Sequence, residues 1–267
     1  MNSSSNSPRT ALITGASSGL GALFARELAR QGYDLVLAAR REERLEILKE
    51  DLISQHTVSV EAIRADLSRE EDLARLEQRI GELENLMLLV NNAGFGTVGK
   101  FARGLPEKQR EMVDVHFMST VRLSRAALPG MLARRKGAII NVSSVAAFFP
   151  LPGGATYCAT KAALVAFSQT LAMELNGTGV QVQALCPGYV YTEFHETPEY
   201  QLIGRSFVPK FMFGPAEPVI TESLKALRKG QVICIPGRLY KFLSFFGRNQ
   251  VFLPFVKIVV RRLFRRR

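Results

Sequence analysis

The feature that most constrains this chain is a short apolar run followed at once by a glycine-rich turn and a helical pattern. Residues 10–14 read TALIT, residues 15–21 read GASSGLG, and ALFARELARQG follows with apolar residues at helical spacing. Gly15, Gly19 and Gly21 allow a tight turn and a close approach of the backbone to a phosphate. A helix that starts directly after the turn adds N–H groups and the positive end of its dipole. The pattern predicts a dinucleotide-binding unit rather than a merely flexible turn.

Apolar runs of strand length alternate with amphipathic helical patterns along the rest of the chain. This rhythm is typical of βαβ units and a parallel sheet. The further predicted strands lie near residues 34–39, 58–65, 85–90, 137–143, 179–188 and 231–237. A chain of 267 residues, 47% hydrophobic and 22% charged, is long enough to bury one large core. We predict an α/β fold: a Rossmann-type, doubly wound parallel sheet of about seven strands with helices on both faces.

We predict a single domain, because no Pro/Gly/Ser-rich linker divides the chain. The domain is predicted to span residues 9–237, after a disordered tail at residues 1–8 and before a basic amphipathic segment at residues 238–267. The first eight residues, MNSSSNSP, do not have the basic start and apolar run of a secretory signal. Three scattered cysteines favour neither a disulfide framework nor a metal site. A cytoplasmic location is expected.

Two arginines close the second predicted strand. In dinucleotide-binding folds an acid at this place binds the ribose 2′-hydroxyl of NAD, whereas an arginine accommodates the 2′-phosphate of NADP. Arg40 stands where the acid would be, and Arg41 follows it. A guanidinium group suits a dianionic phosphate because it donates two parallel hydrogen bonds. The alternative is a solvated arginine pair that opens the next helix; NADP(H) is the better prediction.

Tyr157 and Lys161 are four residues apart in a segment that reads as a helix, so their side chains share one face. A free phenol, with a pKa of about 10, is a poor proton donor or acceptor at neutral pH, and a nearby ammonium group lowers that value. Ser144 follows the apolar strand GAIINV and could polarise the carbonyl that Tyr157 protonates. The alternative is an ordinary helix that happens to carry a tyrosine and a lysine.

Together these motifs resemble the classical short-chain dehydrogenase/reductase family. TGASSGLG matches its cofactor turn, NNAG at residues 91–94 matches its fourth-strand motif, and PGYVYT at residues 187–192 matches its PG motif. Ser144, Tyr157 and Lys161 match the catalytic set at the family's usual spacing. The resemblance covers roughly residues 9–237 and rests on several independent motifs in the same order.

The resemblance implies which residues bind the cofactor. Asp66 would contact adenine, Asn92 would lie against the cofactor, Lys161 would bond the nicotinamide ribose, and Thr192 would contact the nicotinamide carboxamide. The full predicted set is Gly15, Ser17, Ser18, Gly19, Leu20, Gly21, Arg40, Arg41, Asp66, Leu67, Asn92, Ala93, Gly94, Tyr157, Lys161, Pro187, Gly188, Val190 and Thr192.

One position departs from the family's pattern. Many members carry a catalytic asparagine in the long helix before the serine, where it holds a water of the proton relay. His116, in EMVDVHFMS, occupies the matching position here. A neutral imidazole could donate or accept a hydrogen bond there and could relay a proton. Alternatively, backbone groups hold the water and His116 is merely tolerated. His116 is therefore a candidate catalytic residue with two open interpretations.

The substrate side of the chain is predicted to be apolar. Residues 192–218 are irregular and rich in Phe, Tyr, Met and Pro, and their position matches the family's variable substrate lid. Phe194, Phe207, Phe211, Met212 and Phe213 would offer an apolar wall, which favours a hydrophobic carbonyl substrate over a sugar or a small acid. Simple packing of these aromatic residues on the body of the protein is the alternative.

The net charge of +11 belongs to the C-terminal part of the chain. Residues 223–267 contain twelve Lys/Arg and no acid, which leaves 23 basic and 24 acidic residues elsewhere. The catalytic body is therefore not basic, and nucleic-acid binding is not predicted. After residue 254, a helical wheel separates an apolar arc from a basic arc, as in a helix that lies on an anionic membrane surface. A helix docked on a partner subunit or a basic arm on nucleic acid are the competing interpretations.

These patterns predict an NADP(H)-dependent oxidoreductase that reduces an apolar carbonyl, or oxidises the matching alcohol, with Tyr157 as general acid/base. A ketosteroid or a 3-oxoacyl thioester would be such a substrate. The resemblance also implies a homodimer or homotetramer, formed through the helix at residues 106–134 and the helix after Tyr157. The alternative from another class is a membrane-docked NADP-binding module with weak or lost catalysis. An epimerase or dehydratase is disfavoured because the chain lacks a sizeable C-terminal substrate domain.

Overall fold

The computed structural model describes residues 9–96, 99–149, 152–191, 193 and 212–248. Its strands are β1 (Thr10–Thr14), β2 (Asp34–Ala39), β3 (Val60–Arg64), β4 (Leu86–Asn91), β5 (Gly137–Val142), β6 (Val180–Leu185) and β7 (Ile233–Cys234). Its α-helices are α1 (Gly19–Arg30), α2 (Glu42–Gln55), α3 (Glu70–Glu82), α4 (Pro106–Val113), α5 (Ser119–Ala133), α6 (Ala155–Glu174), α7 (Glu217–Arg228) and α8 (Arg238–Arg248).

The seven strands form one parallel sheet in the order β3-β2-β1-β4-β5-β6-β7. The chain builds outward from β1 to β3, then returns to the other side of β1 and builds outward again from β4 to β7. The strand order reverses between β1 and β4, and ligands of open α/β sheets bind at the carboxyl ends of strands beside such a reversal. The predicted doubly wound parallel sheet of seven strands is confirmed.

Alternate residues of the strands enter two separate apolar layers, because successive side chains of a strand point to opposite faces. In β1, Ala11 and Ile13 pack into one layer and Leu12 packs into the other. The first layer includes buried residues of α1, α2 and α7, and the second includes buried residues of α3, α5 and α6. Helices therefore cover both faces, which explains why the central strands are apolar throughout.

A buried polar ladder crosses the second layer and ties two helices to the sheet. Asn91 and Asn141 are register partners on β4 and β5, and the Asn91 amide donates to Asn141 Oδ1 at 2.9 Å. Asn91 also donates to Ser124 of α5 at 3.2 Å, and Asn141 donates to Ser168 of α6 at 3.0 Å. All four side chains are buried. Polar groups buried in this way hold a single register, because a slipped register would leave them unsatisfied.

Replacing Asn141 with leucine tests this ladder. The change keeps the side-chain volume similar but removes the acceptor of Asn91 and the donor to Ser168. Leaving buried polar groups without partners costs about 2–4 kcal/mol, so the unfolding temperature is expected to fall by about 5–10 °C. Differential scanning fluorimetry measures it, with Asn176→Ala, at an exposed asparagine after α6, as the control. Equal unfolding temperatures for the two variants would contradict the role of the ladder.

Candidate active site

The glycine turn lies where β1 meets the end of β4, and its geometry requires glycine. Gly15 has φ +65°, and a Cβ there would lie 2.8 Å from the Cα of Ala93. A Cβ on Gly21 would lie 2.3 Å from the carbonyl oxygen of Gly15. Helix α1 begins at Gly19, and its first turn contains no acidic residue. The helix N-terminus is thus available to an anion, which fits the pyrophosphate of a dinucleotide.

Asn92 joins the carboxyl ends of β1 and β4. Its side-chain amide donates to the carbonyl oxygens of Thr14 at 2.9 Å and Gly15 at 3.2 Å. In return, the Thr14 hydroxyl accepts the backbone N–H groups of Asn92 and Ala93 at 3.0 and 3.1 Å. The NNAG segment therefore braces the glycine turn from the neighbouring strand. These contacts of Asn92 and Ala93 hold the turn in place; their contact with a cofactor stays a prediction.

The two arginines after β2 point to different partners. Arg41 donates to the hydroxyl groups of Ser17 at 3.1 and 3.2 Å and Ser18 at 2.6 Å, inside the glycine turn. Arg40 instead forms an ion pair with Glu111 of α4 at 3.3 Å. The sequence prediction centred on Arg40, whereas the guanidinium that contacts the turn is that of Arg41. Both side chains are exposed, so both can reach a bound anion.

Asp66 and Leu67 follow β3 and have different environments. Burial works against ionisation of Asp66, but hydrogen bonds from Ser68 and the charge of Arg40 outweigh it and lower the pKa of this carboxyl. Asp66 is therefore ionised at neutral pH and held by Ser68, whose hydroxyl donates to it at 2.7 Å. The Leu67 side chain is buried in the layer under α3. Only the backbone of Leu67 is therefore available for contact with a cofactor.

The three predicted catalytic residues lie at the carboxyl end of β5 and on the first turns of α6. Ser144 comes two residues after β5, is half-buried, and accepts the N–H of Ala146 at 3.1 Å. Tyr157 lies in the first turn of α6, and the ammonium nitrogen of Lys161 lies 5.8 Å from the centre of its ring. The helix thus presents the phenol and the ammonium on one face, as the spacing predicted.

Lys161 is a buried cation bound to a backbone carbonyl. Its side chain is 4% exposed, and its ammonium donates to the carbonyl of Val142 at 2.8 Å. The Ser143 hydroxyl in turn donates to the carbonyl of Lys161 at 2.7 Å, which fixes this turn of α6 against the end of β5. Burial lowers the pKa of Lys161 to about 8, although the neighbouring Cys186 thiol opposes the shift. Lys161 is therefore still largely protonated at pH 7.

His116 lies in a π-helical turn, Asp114–Met118, that interrupts the predicted helix at residues 106–134. Such turns are frequent at functional sites. The turn is stabilised by Ser119 and Thr120, whose hydroxyl groups donate to the carbonyls of Val115 and His116 at 2.8 and 3.0 Å. The extra residue of the π turn lets His116 enter the space between β4 and α6. The sequence identified the position of His116 but gave no signal for the π turn.

Both ring nitrogens of His116 are engaged. Nε2 accepts the backbone N–H of Phe95 at 2.9 Å, so the ring proton resides on Nδ1. Nδ1 lies 3.0 Å from the hydroxyl of Thr160, which donates its own proton to the carbonyl of Tyr157. Burial, followed by the charge of Lys161, lowers the pKa of His116 well below its ordinary value. His116 is therefore a neutral imidazole of defined tautomer, packed edge-to-face against Tyr157 with ring centres 5.7 Å apart.

The PG segment lies on the other side of Ser144 and is covered by α8. The carbonyl of Pro187 accepts the N–H of Val145 at 2.9 Å. A Cβ on Gly188 would lie 2.0 Å from the ring of Tyr240, whose hydroxyl accepts the N–H of Tyr189 at 3.0 Å. Tyr240 was not singled out in the sequence because it lies in the basic segment.

Two further parts of the predicted site remain. Val190 is buried and pairs with Gly214, and Gly94 lies against His116, since a Cβ there would be 3.1 Å from Nε2. Thr192, Phe194, Phe207 and Phe211 lie outside the described residues. Ser17, Ser18 and Leu20 are half-buried in the turn and the first turn of α1.

The sequence matches the family model for short chain dehydrogenases over residues 9–201. The chain belongs to the short-chain dehydrogenase family.

Relatives and solved structures extend the match. The chain is 32% identical over 216 residues to the 3-oxoacyl-[acyl-carrier-protein] reductase of Rickettsia bellii, covering 80% of this chain and 86% of that one. A short-chain dehydrogenase from Sphingobium yanoikuyae in complex with NADPH is 34% identical, with a TM-score of 0.81 and coverage of 92% and 95%. A bulky-bulky ketone specific alcohol dehydrogenase from Comamonas testosteroni is 32% identical, with a TM-score of 0.78 and coverage of 90% and 92%.

The buried ammonium of this short-chain dehydrogenase is expected to reduce its stability. A pKa of about 8 in place of 10.5 corresponds to roughly 3 kcal/mol against the charged form. The hydrogen bond to Val142 favours the charged form by only about 1 kcal/mol and does not offset this cost. Lys161→Met is therefore expected to raise the unfolding temperature of the cofactor-free protein by several degrees at pH 7, while it removes the cation from the site.

The pH dependence provides the check. Between pH 8 and 10.5 the unfolded chain binds more protons at this lysine than the folded chain does, so the wild-type protein gains stability as the pH rises. The advantage of Lys161→Met should therefore shrink across that range in thermal unfolding measured at several pH values. Lys136→Met, at an exposed lysine, is the control and should show no such trend. A destabilised Lys161→Met variant at pH 7 would contradict the argument.

Proposed function

We propose that this protein is an NADP(H)-dependent reductase of an apolar ketone, or a dehydrogenase of the matching secondary alcohol. The observation that carries the proposal is the Tyr157–Lys161 pair on one face of α6, with the Lys161 ammonium bound to Val142 at the end of β5, two residues before Ser144, and close to Gly94. The nicotinamide of the bound cofactor supplies the hydride. Every other part of the chemistry belongs to side chains of this chain.

In the direction of reduction, Tyr157 donates its phenolic proton to the carbonyl oxygen of the substrate. Ser144 donates a hydrogen bond to the same oxygen and so polarises the carbonyl before the proton moves. Lys161 stabilises the phenolate that remains, because its ammonium lies 5.8 Å from the ring on the same helical face. As the family resemblance implies, the same ammonium would also bond the nicotinamide ribose. In oxidation the phenolate takes the proton back.

The residues present fit NADP(H). The rigid glycine turn and the N-terminus of α1 suit the pyrophosphate, and Arg41, held by Ser17 and Ser18, suits the ribose 2′-phosphate. Arg40 stands one residue earlier and remains a second candidate for the phosphate. The NADPH bound by the Sphingobium yanoikuyae enzyme supports the same choice.

An apolar substrate is supported by the surface next to Ser144. Tyr189 and Tyr191 pack on Phe213 with ring centres 5.4 and 5.2 Å apart, and Phe148 and Phe149 lie beside them on a small apolar cluster that includes Val145. The 3-oxoacyl reductase and the bulky-bulky ketone enzyme among the similar proteins point to the same class of substrate. We infer that a ketosteroid or a 3-oxoacyl thioester represents this class.

Tyr157→Phe tests the proposed acid. Loss of general acid catalysis is expected to lower kcat by about 100- to 10,000-fold, while NADPH still binds, since the ring and Lys161 remain. Steady-state oxidation of NADPH with a panel of steroid ketones and 3-oxoacyl thioesters measures kcat. Quenching of NADPH fluorescence measures the binding of NADPH. Tyr33→Phe, a tyrosine that packs on Arg9 far from the site, is the control. Retained turnover would refute the acid assignment, and tight NADPH binding by an inactive wild-type protein would favour a binding module.

We also propose that α8 docks the protein on an anionic membrane surface. Tyr240 and Ser244 of α8 face the body and are buried, whereas Leu239, Phe242 and Phe245 are 40%, 62% and 66% exposed. From residue 223 onward the sequence contains lysine and arginine residues but no acidic residue. An apolar face with flanking cations is the composition of an interfacial helix. Among the described residues, no helix is long and apolar enough to span a bilayer. Residues 249–267, which carry the rest of this proposal, lie outside the described residues.

Replacing Phe242 and Phe245 with serine is expected to weaken binding to vesicles of phosphatidylcholine and phosphatidylserine by about tenfold or more, because each phenylalanine loses apolar burial. Co-sedimentation with these vesicles at low and high salt measures it. Phe101→Ser, at a phenylalanine that is 64% exposed on another surface, is the matched control. Equal binding of the double variant and the control would remove α8 from the proposal.

We infer a homodimer or homotetramer as well. Met118 at the end of the π turn, Leu132 on α5 and Met173 on α6 are 42%, 38% and 78% exposed, which is consistent with an interface along α5 and α6.

A further inference from the structure

A glutamate from a distant part of the chain lies in the group of cations beside the glycine turn. Glu193 follows β6 and the PG segment, 149 residues after Arg44, yet its carboxylate contacts the start of α2. It accepts hydrogen bonds from Arg44 at 2.5 and 2.7 Å and from Arg41 at 3.1 Å. The same Arg41 contacts Ser17 and Ser18. Three segments of the chain therefore meet around one negative charge.

The groups around that charge are those that a phosphate needs. Two guanidinium groups contact one carboxylate, and one of them, that of Arg41, also contacts the hydroxyl groups of Ser17 and Ser18. The carboxylate is the only anion among these five side chains. Arg44 supplies one nitrogen to both carboxylate oxygens, and Arg41 bridges the carboxylate and the turn. Guanidinium groups prefer phosphate and carboxylate for the same geometric reason. The Glu193 carboxylate therefore occupies a position in which two guanidinium groups could bind a phosphate instead.

Glu193 is ionised in this position. Burial opposes ionisation, but the hydrogen bonds from Arg44 and Arg41 outweigh it and lower the pKa of the carboxyl. The side chain remains 45% exposed, so the ion pair is screened by salt and can be replaced by another anion.

We propose that Glu193 competes with the ribose 2′-phosphate of NADP(H) for Arg41 and Arg44, and that it thereby sets the margin by which the enzyme prefers NADP(H) over NAD(H). This inference rests on the proposed use of NADP(H). A 2′-phosphate must separate the carboxylate from the two guanidinium groups or share them with it. NAD(H) carries a hydroxyl there and leaves the ion pair intact. Glu193 therefore weakens the binding of the phosphorylated cofactor alone.

The competition predicts an unusual direction of change. Most substitutions in a binding site weaken binding, whereas Glu193→Gln should strengthen it, because the amide keeps the side-chain shape but no longer neutralises Arg41 and Arg44. Exposed ion pairs of this kind are weak, so the gain is expected to be about three- to tenfold at low ionic strength. The gain should shrink as salt is added, because screening already weakens the competing pair.

The experiment uses two adenosine fragments that differ in the 2′-phosphate. Isothermal titration calorimetry of the full chain with 2′,5′-ADP and with 5′-AMP gives a ratio of dissociation constants for each variant. Glu193→Gln should raise the preference for 2′,5′-ADP by about three- to tenfold and leave 5′-AMP unchanged. Glu43→Gln removes the same charge at an exposed glutamate next to Arg44 that has no hydrogen bond to either arginine, and it is the matched control. Arg41→Gln should lower the preference.

The outcomes separate the two proposals. If wild type and Glu193→Gln both bind 2′,5′-ADP no tighter than 5′-AMP, the proposed preference for NADP(H) fails. If both prefer 2′,5′-ADP to the same degree, the preference stands and the competition by Glu193 is overturned. An equal gain in Glu43→Gln, or an equal gain for 5′-AMP, also overturns it, because the effect would then be one of general charge or of the adenosine site.

Discussion

The architecture of this site depends on the amide ladder between β4 and β5. Asn91 and Asn141 bond to each other in register and then to Ser124 of α5 and Ser168 of α6. Apolar packing alone would press these helices on the sheet without deciding their position along it, since such contacts are not directional. Buried hydrogen bonds are directional and expensive to leave unmade. The ladder therefore determines where α5 and α6, and with them His116 and the Tyr157–Lys161 pair, stand relative to the strand ends.

The buried ionisable residues of the candidate site, Lys161 and His116, reduce the stability of the folded protein. A lysine with a pKa of about 8 and a histidine with a strongly lowered pKa are buried within one small region, and the charge of Lys161 adds to burial in disfavouring charge on His116. Apolar side chains at these two positions would make the folded protein more stable. His116 is buried and neutral, and hydrogen bonds engage both of its ring nitrogens, Nε2 with the N–H of Phe95 and Nδ1 with the hydroxyl of Thr160. Through Thr160 these contacts reach the carbonyl of Tyr157. They are consistent with a hydrogen-bonding role for the imidazole, and both interpretations made from the sequence stay predictions.

Local signals in the sequence were enough to predict the sheet, the glycine turn and the shared helical face of Tyr157 and Lys161 on α6. The turn needs glycine for reasons of backbone geometry, and the Tyr157–Lys161 spacing reports one helical turn; both are properties of a few consecutive residues. What the sequence did not reveal depends on residues far apart in the chain. The choice of Arg41 over Arg40 as the partner of Ser17 and Ser18 follows from the direction in which each side chain leaves the strand end. The π turn under His116, and Tyr240 against Gly188, depend on packing between segments, which periodicity does not report.

The contact between Tyr240 and Gly188 links the proposed apolar substrate to the proposed docking of α8 on a membrane surface. A side chain at residue 188 would overlap the Tyr240 ring, and the Tyr240 hydroxyl binds the N–H of Tyr189 and the carbonyl of Met212. Helix α8 therefore packs directly on the PG segment of the candidate site. If its outer phenylalanines rest on a bilayer, the apolar wall beside Ser144 is held next to the lipid by one rigid helix. The proposed membrane docking and the proposed apolar substrate are therefore linked, because the helix that exposes Phe242 and Phe245 also packs on Gly188 of the PG segment.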